Sequence, residues 1–231
     1  MRADMARVVQ GLEHGSATVR LRAALAVGTA PDPGYVDALV ARCGAEPDFS
    51  VREMLTWALT RHAPSVTVPR LVGELRSEGA RARSQALHTL SKIGDRSAWP
   101  ALTRALLTDA DEEVARSAWR AAVVLVPEDE PVPDDAEDGG GGRAELARVL
   151  ATQLGRGGRE TALSLSRALI ALGEASAPVL RAASAAPDPR VRDHASATER
   201  LRRDPDAGFG WAVEEAKRVA VLGTAAGREE G

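Results

Sequence analysis

Cysteine is nearly absent: Cys43 stands alone. No internal disulfide framework is possible, and a reducing, cytoplasmic compartment is the expectation. Cys43 itself reads as a small apolar packing group. Aromatic residues make up only 3% of the chain. Alanine, leucine and valine must then fill the core, which favours closely packed helices. No apolar run approaches the ~18 residues that span a bilayer. The opening "MRADMARVVQGLEHG" lacks the uninterrupted apolar centre of a signal peptide. No membrane association is expected.

Catalytic signatures are scarce too. His14, His62, His88 and His194 are scattered, and no His-Glu dipeptide occurs. There is no G-x-S-x-G elbow, and no D-x-D-x-D-G loop. The sequence therefore leans away from an enzyme, with no cofactor and no metal expected. The net charge is −3, which gives no electrostatic reason to expect nucleic acid. Lysine occurs only at Lys92 and Lys217, so arginine carries nearly all the positive charge.

What is present is a repeat. "EPDFSVREMLTWAL", "TDADEEVARSAWRAA" and "APDPRVRDHASATERL" each place an aspartate three residues before a valine: Asp48 and Val51, Asp111 and Val114, Asp188 and Val191. Ser16 and Val19 form a weaker copy, and two uncapped copies centre on Ala82 and Thr161. The six anchors are spaced 32, 31, 32, 47 and 30 residues apart. A period near 31 signals a stacked array.

Each unit reads as a capped helix followed by a leucine-striped one. Ala82, Ala86, Leu87, Leu90 and Ile93 share one helical face, and Gly94 offers a stop. Leu39, Leu71, Leu102 and Leu180 mark the second helices, which Pro69, Pro100 and Pro178 place near a first turn. Asp48, Asp111 and Asp188 read as N-caps, their oxygens taking orphan amides of the first turn. On this reading the acidic run Asp109, Asp111, Glu112 and Glu113 is structural rather than metal-binding. Arg20, Arg52, Arg83 and Arg192 follow their anchors by one residue. They either pair with caps of neighbouring repeats or sit on a solvated face. Trp57, Trp99 and Trp119 read as core or inter-repeat packing.

The 47-residue gap is one unit plus "PEDEPVPDDAEDGGGG", 127–142, with seven acids and no base. It reads as an acidic, Gly/Pro-rich loop inserted into a single array over 1–222, with a disordered tail over 223–231. The glycine run lacks the preceding strand and nearby lysine of a phosphate cradle.

The V-R-x-x-A helix starts, the I-G-D and L-G-E stops and the leucine stripes resemble short HEAT-like repeats, of the bilin-lyase type. The arginine and alanine enrichment resembles chains from GC-rich bacterial genomes. The resemblance implies an all-α, right-handed solenoid of about six helix pairs. It implies a non-catalytic interaction scaffold for a protein or peptide, one with acidic character suiting best. Bilin-lyase-like or accessory activity in tetrapyrrole attachment is an alternative, and nucleic-acid binding a second one. Arg42, Arg70, Arg76, Arg104, Arg148 and Arg181, on the second helices, are the candidate contacts. Nothing in the sequence sets the oligomeric state.

The caps are expected to matter individually. Asp48→Ala, Asp111→Ala and Asp188→Ala should each cost ~1 kcal/mol, measured by chemical denaturation.

Overall fold

The computed structural model describes residues 2–128 and 142–204. The tail and most of the acidic insertion, 129–141, lie outside the described residues, as does the proposed continuation of the array from 205 to 222. Twelve α-helices occur among the described residues, with no strand: α1 Arg2–Leu12, α2 Ala17–Thr29, α3 Val36–Ala45, α4 Phe49–Thr60, α5 Pro64–Glu74, α6 Ala80–Ile93, α7 Arg104–Leu107, α8 Glu112–Leu125, α9 Gly142–Ala151, α10 Arg159–Ala171, α11 Ala177–Ala183 and α12 Pro189–Arg203. The even-numbered helices carry the anchors. Each packs on the neighbouring even-numbered helices, α2 on α4 through α10 on α12, and on the leucine helix that precedes it. The result is an α-solenoid of six helix pairs in two layers. The physical pair is a leucine helix with the capped helix after it.

The caps sit where the Asp-x-x-Val spacing puts them. Asp48 accepts from the Val51 amide at 3.0 Å, and Asp188 from the Arg190 amide at 2.8 Å. Asp111 takes two amides, those of Glu113 and Val114. Ser16 has the backbone of a cap, but its hydroxyl makes no cap bond. Gly79 and Gly158 hold the equivalent places in the uncapped repeats. Gly94 ends α6 in the left-handed region at φ +70°, a conformation that costs glycine nothing.

The leucine layer is less regular than its stripes suggest. Pro69 lies inside α5, which begins instead at Pro64. Pro100 lies in a 3-10 turn, Arg96–Ala101, and the helix restarts only at Arg104. Thr103 caps that restart by accepting from the Leu106 amide. The proline removes a donor that a continuous helix over this stretch would need.

Between the layers, Leu39, Leu55, Leu59, Leu87, Leu125, Leu150 and Leu169 are all fully buried. Cys43 is buried beside Thr56, and burial pushes its thiol up to about 11. Trp119 is fully buried and donates its Nε1–H to the Leu107 carbonyl at 2.8 Å. Trp99 is partly buried against the same core. Trp57 is exposed on one side, and its ring lies across α2 at Gly28.

Arginine makes the joints between layers. Arg20, Arg52, Arg83 and Arg192 do not bond the neighbouring caps. Each turns its Nη1 back onto two carbonyls of its own loop, those of His14 and Gly15, Glu46 and Pro47, Ser77 and Glu78, and Ala186 and Pro187. In the fourth repeat the corresponding residue is Ala115, and the matching carbonyls, Asp109 and Ala110, receive Arg156 from the loop before α10.

Gly28 sets how closely α2 and α4 approach. A Cβ there would lie 2.2 Å from Trp57 Cζ3 and 3.0 Å from the Ala58 Cα. Gly28→Ala is expected to destabilise by about 1–3 kcal/mol, the usual range for overpacking. Urea unfolding measures this. Adding Trp57→Leu should recover only part, because the Ala58 backbone stays in the way.

Candidate functional site

Three anchor-bearing helices, α4, α6 and α8, form the walls of a cavity of about 590 Å³. Phe49 and Arg52 enter it from α4, Arg81, Gln85 and His88 from α6, and Arg120 from α8. Glu53, Asp111 and Glu113 also line it. Phe49 faces outward because it is out of phase with Val51, Leu55 and Leu59, which point into the core. It is 67% exposed, and the Arg52 guanidinium lies 5.8 Å from its ring centroid, within cation–π range.

Most acids of the cavity are already engaged. Asp111 caps α8. Glu113 pairs with Arg116, and at 3.8 Å with Arg120. Glu53 lies 3.3 Å from His88 Nε2, without a hydrogen bond of acceptable geometry. Burial holds the His88 imidazole below its ordinary value, with Arg120 and Lys92 adding to the effect and Glu53 opposing it. The opening acidic run resolves the same way. Asp109 accepts from the Asp111 amide and from Arg83, and Glu112 accepts from the Thr161 hydroxyl. Among the described residues, no group of three His, Cys, Asp or Glu could hold a metal.

The family model for HEAT repeats matches residues 45–122. That stretch is similar to HEAT repeats. It covers about a third of the chain and contains nearly all of the cavity's walls. No curated protein matches the chain. The karyopherin Kap121p, solved bound to the extreme C-terminus of the protein phosphatase Cdc14p, aligns at a TM-score of 0.55 and 17% identity, over 81% of this chain and 22% of its own. The chain thus spans about a fifth of the karyopherin. The complex of CpcE and CpcF of phycocyanin lyase from Nostoc sp. PCC7120 aligns at 0.46 and 18% identity, over 81% of this chain and 73% of that one. An engineered protein aligns at 0.42 and 18% identity, over 85% and 57%. At such identities the karyopherin likeness shows the fold alone, and the two weaker alignments carry no argument. No helix among the described residues is long and apolar enough to cross a membrane.

The six arginines expected on the second helices are not gathered into this cavity; none of them lines it. Arg42 is half-buried and bonds Glu46 at 2.9 Å. Arg70 pairs with Asp37 at 2.9 Å, and Arg148 with Glu145. Arg76, Arg104 and Arg181 are exposed on separate parts of the leucine layer. The cavity belongs to the other layer. Phe49, Arg81 and His88 were not singled out by sequence reasoning. The one available signal was an aromatic residue at the first helical position, facing away from the anchor stripe.

Arg52 and Arg81 reach from the cavity to the carbonyl of Glu46, which holds a buried charge cluster. Glu46 is fully buried and receives Arg20 through two bonds of 2.7 Å, Arg42 through one of 2.9 Å, and the Asp48 amide at 2.9 Å. Burial by itself pushes this carboxyl up. The bonds from Arg20, the Asp48 amide and Arg42 outweigh it and hold Glu46 at about 2, against an ordinary value of 4.5.

A carboxyl depressed on folding contributes stability that is fully present above its unfolded value. Here that contribution is complete above 4.5 and fades as the pH falls toward about 2. Glu46→Ala is expected to cost about 3–5 kcal/mol at pH 7, because it leaves buried arginine unpaired. It should also flatten the acid limb of the stability curve between those two values. Denaturant titrations across pH check both effects.

Proposed function

We propose that this chain is a non-catalytic scaffold that holds a protein or peptide partner in the groove of α4, α6 and α8. The observation that carries this reading is the groove itself. It crosses three successive repeats and combines an exposed aromatic ring with charged and hydrogen-bonding side chains. Such mixed lining suits an extended segment with side chains of several kinds. Stacked helix pairs make a long surface without needing a catalytic centre. On this reading the contacts lie in the layer of α4, α6 and α8 rather than on the leucine-layer arginines. A cytoplasmic setting suits a chain whose single thiol is buried. The acidic stretch 127–142 is taken as an insertion beside the array, outside its core.

Site-specific photocrosslinking tests the reading. A photoreactive residue at Gln85, in the groove, should capture one predominant partner from a native extract. The same residue at Arg104, in the leucine layer, should capture little. Equal capture from both positions, or capture only from Arg104, would remove the groove from the account. Stoichiometric binding of a bilin would favour a role in tetrapyrrole attachment. Affinity for a polynucleotide that collapses with salt would favour nucleic-acid binding.

A further inference from the structure

The arginines that follow the anchors form a ladder with one missing rung. Arg20 meets Glu46, and Arg83 meets Asp109. Both acids stand five residues before the next anchor. In the repeat after Arg52 that place is held by Ser77. Arg52 therefore lacks the carboxylate that Arg20 and Arg83 have.

Arg81 compounds the imbalance. Its Nη1 donates to the Glu46 carbonyl at 3.2 Å, the same oxygen that Arg52 Nη1 reaches at 3.1 Å. Two guanidinium groups from neighbouring helices thus share one neutral acceptor, and both line the cavity. Neither is within ion-pair distance of a carboxylate among the described residues. The Glu46 side chain cannot serve, since Arg20 and Arg42 already occupy it. Each guanidinium has five N–H donors, and these bonds leave several of them unused on each. Phe49 stands next to the pair, its ring largely exposed.

Resting on the scaffold reading, we infer that this end of the groove seats a partner segment in which an Asp or Glu adjoins an aromatic or aliphatic residue. The carboxylate bridges Arg52 and Arg81, and the apolar side chain lies on Phe49. Guanidinium–carboxylate pairs suit this role because their bonds are charge-assisted and geometrically matched. A singly charged carboxylate fits better than a phosphate. Glu53, Asp111 and Glu113 line the same cavity, and their repulsion grows with the charge of the ligand.

The test uses the full chain. A displayed library of random 12-residue peptides is selected on it, and the enriched peptides are measured by fluorescence anisotropy. Peptides carrying Asp or Glu beside an aromatic or aliphatic residue are expected. Arg81→Glu should weaken them by roughly 10- to 100-fold, the range for losing bonds to a charged group. Arg81 is exposed and makes a single bond, so the fold should survive, which circular dichroism confirms. Ser77→Glu supplies the missing rung and should weaken binding in the same direction without touching a groove residue. Arg104→Glu should have no effect.

Replacing the peptide's acid by its amide should cost affinity in the wild type and little in Arg81→Glu. Enriched peptides without an acid, or acidic ones indifferent to both Arg81→Glu and Ser77→Glu, would overturn the inference. So would tighter binding when phosphoserine replaces the acid. Dependence on Arg104 instead would overturn this site while leaving a peptide-binding scaffold in place. A library that yields no ligand, beside a partner crosslinked at Gln85, would overturn the peptide chemistry and spare the scaffold.

Discussion

The array depends on one interaction: a guanidinium laid across two consecutive loop carbonyls. Where a leucine helix ends and a capped helix begins, the chain turns within a few residues and leaves carbonyls that no helix satisfies. Buried or half-buried, such groups are costly without a donor. Arg20, Arg52, Arg83 and Arg192 each meet that need from the first turn of the helix that follows. The fourth repeat shows that the requirement belongs to the loop rather than to the helix. Ala115 cannot supply the donor, and Arg156 arrives at the matching carbonyls from a loop far along the chain. Two routes to the same pair of oxygens mark the oxygens as the constraint.

That substitution also explains how the array continues past its acidic insertion. The insertion separates α8 from α9 in sequence, but the first turns of α8 and α10 are tied directly. Arg156 crosses from the later loop to the earlier one, Glu112 takes the Thr161 hydroxyl, and Arg116 reaches Glu160 at 3.1 Å. Helix α8 also packs on α10 and on α9. The stacking of the anchor-bearing helices is therefore continuous across the interruption in the repeat spacing. Loop closure depends only weakly on length, so an insertion at this point leaves the stacking intact.

Much of this was legible because it is local or periodic. Asp48, Asp111 and Asp188 act within three residues of themselves, and the Leu39 and Leu180 stripes follow from helical spacing. Gly94 and Gly173 fall at helix ends, both with positive φ. The placement of the site was not legible. A period equates Val51 with Val114, but it does not say which layer carries the groove. Arg42 looked like a surface contact although Glu46 stands four residues on; the burial of Glu46 and its sharing with Arg20 are decided only by the fold. Arg52 looked equivalent to Arg20 because the sequence around both is alike; the difference lies in Ser77, and it acts on Arg52 only when the next repeat stacks. Pro100 suggested a first turn and instead marks a 3-10 segment, because the helix after it needed Thr103 to restart.

Glu46 divides its two functional groups between different neighbours. Its carboxylate is saturated by Arg20, Arg42 and an amide, and anchors the joint between α2 and α4. Its carbonyl gathers Arg52 and Arg81, which the saturated carboxylate then cannot neutralise. A complete ladder, with an acid at 77, would place a counter-ion on Arg52 and strengthen the joint locally. The actual sequence leaves that position as serine and retains uncompensated charge at a cavity wall. Charge left unpaired in a partly enclosed groove does little for folding, since exposed pairs contribute little in any case. In such a groove it attracts a ligand of opposite sign more strongly than it would on an open surface. The missing rung thus costs the fold little, and its consequence falls on the groove.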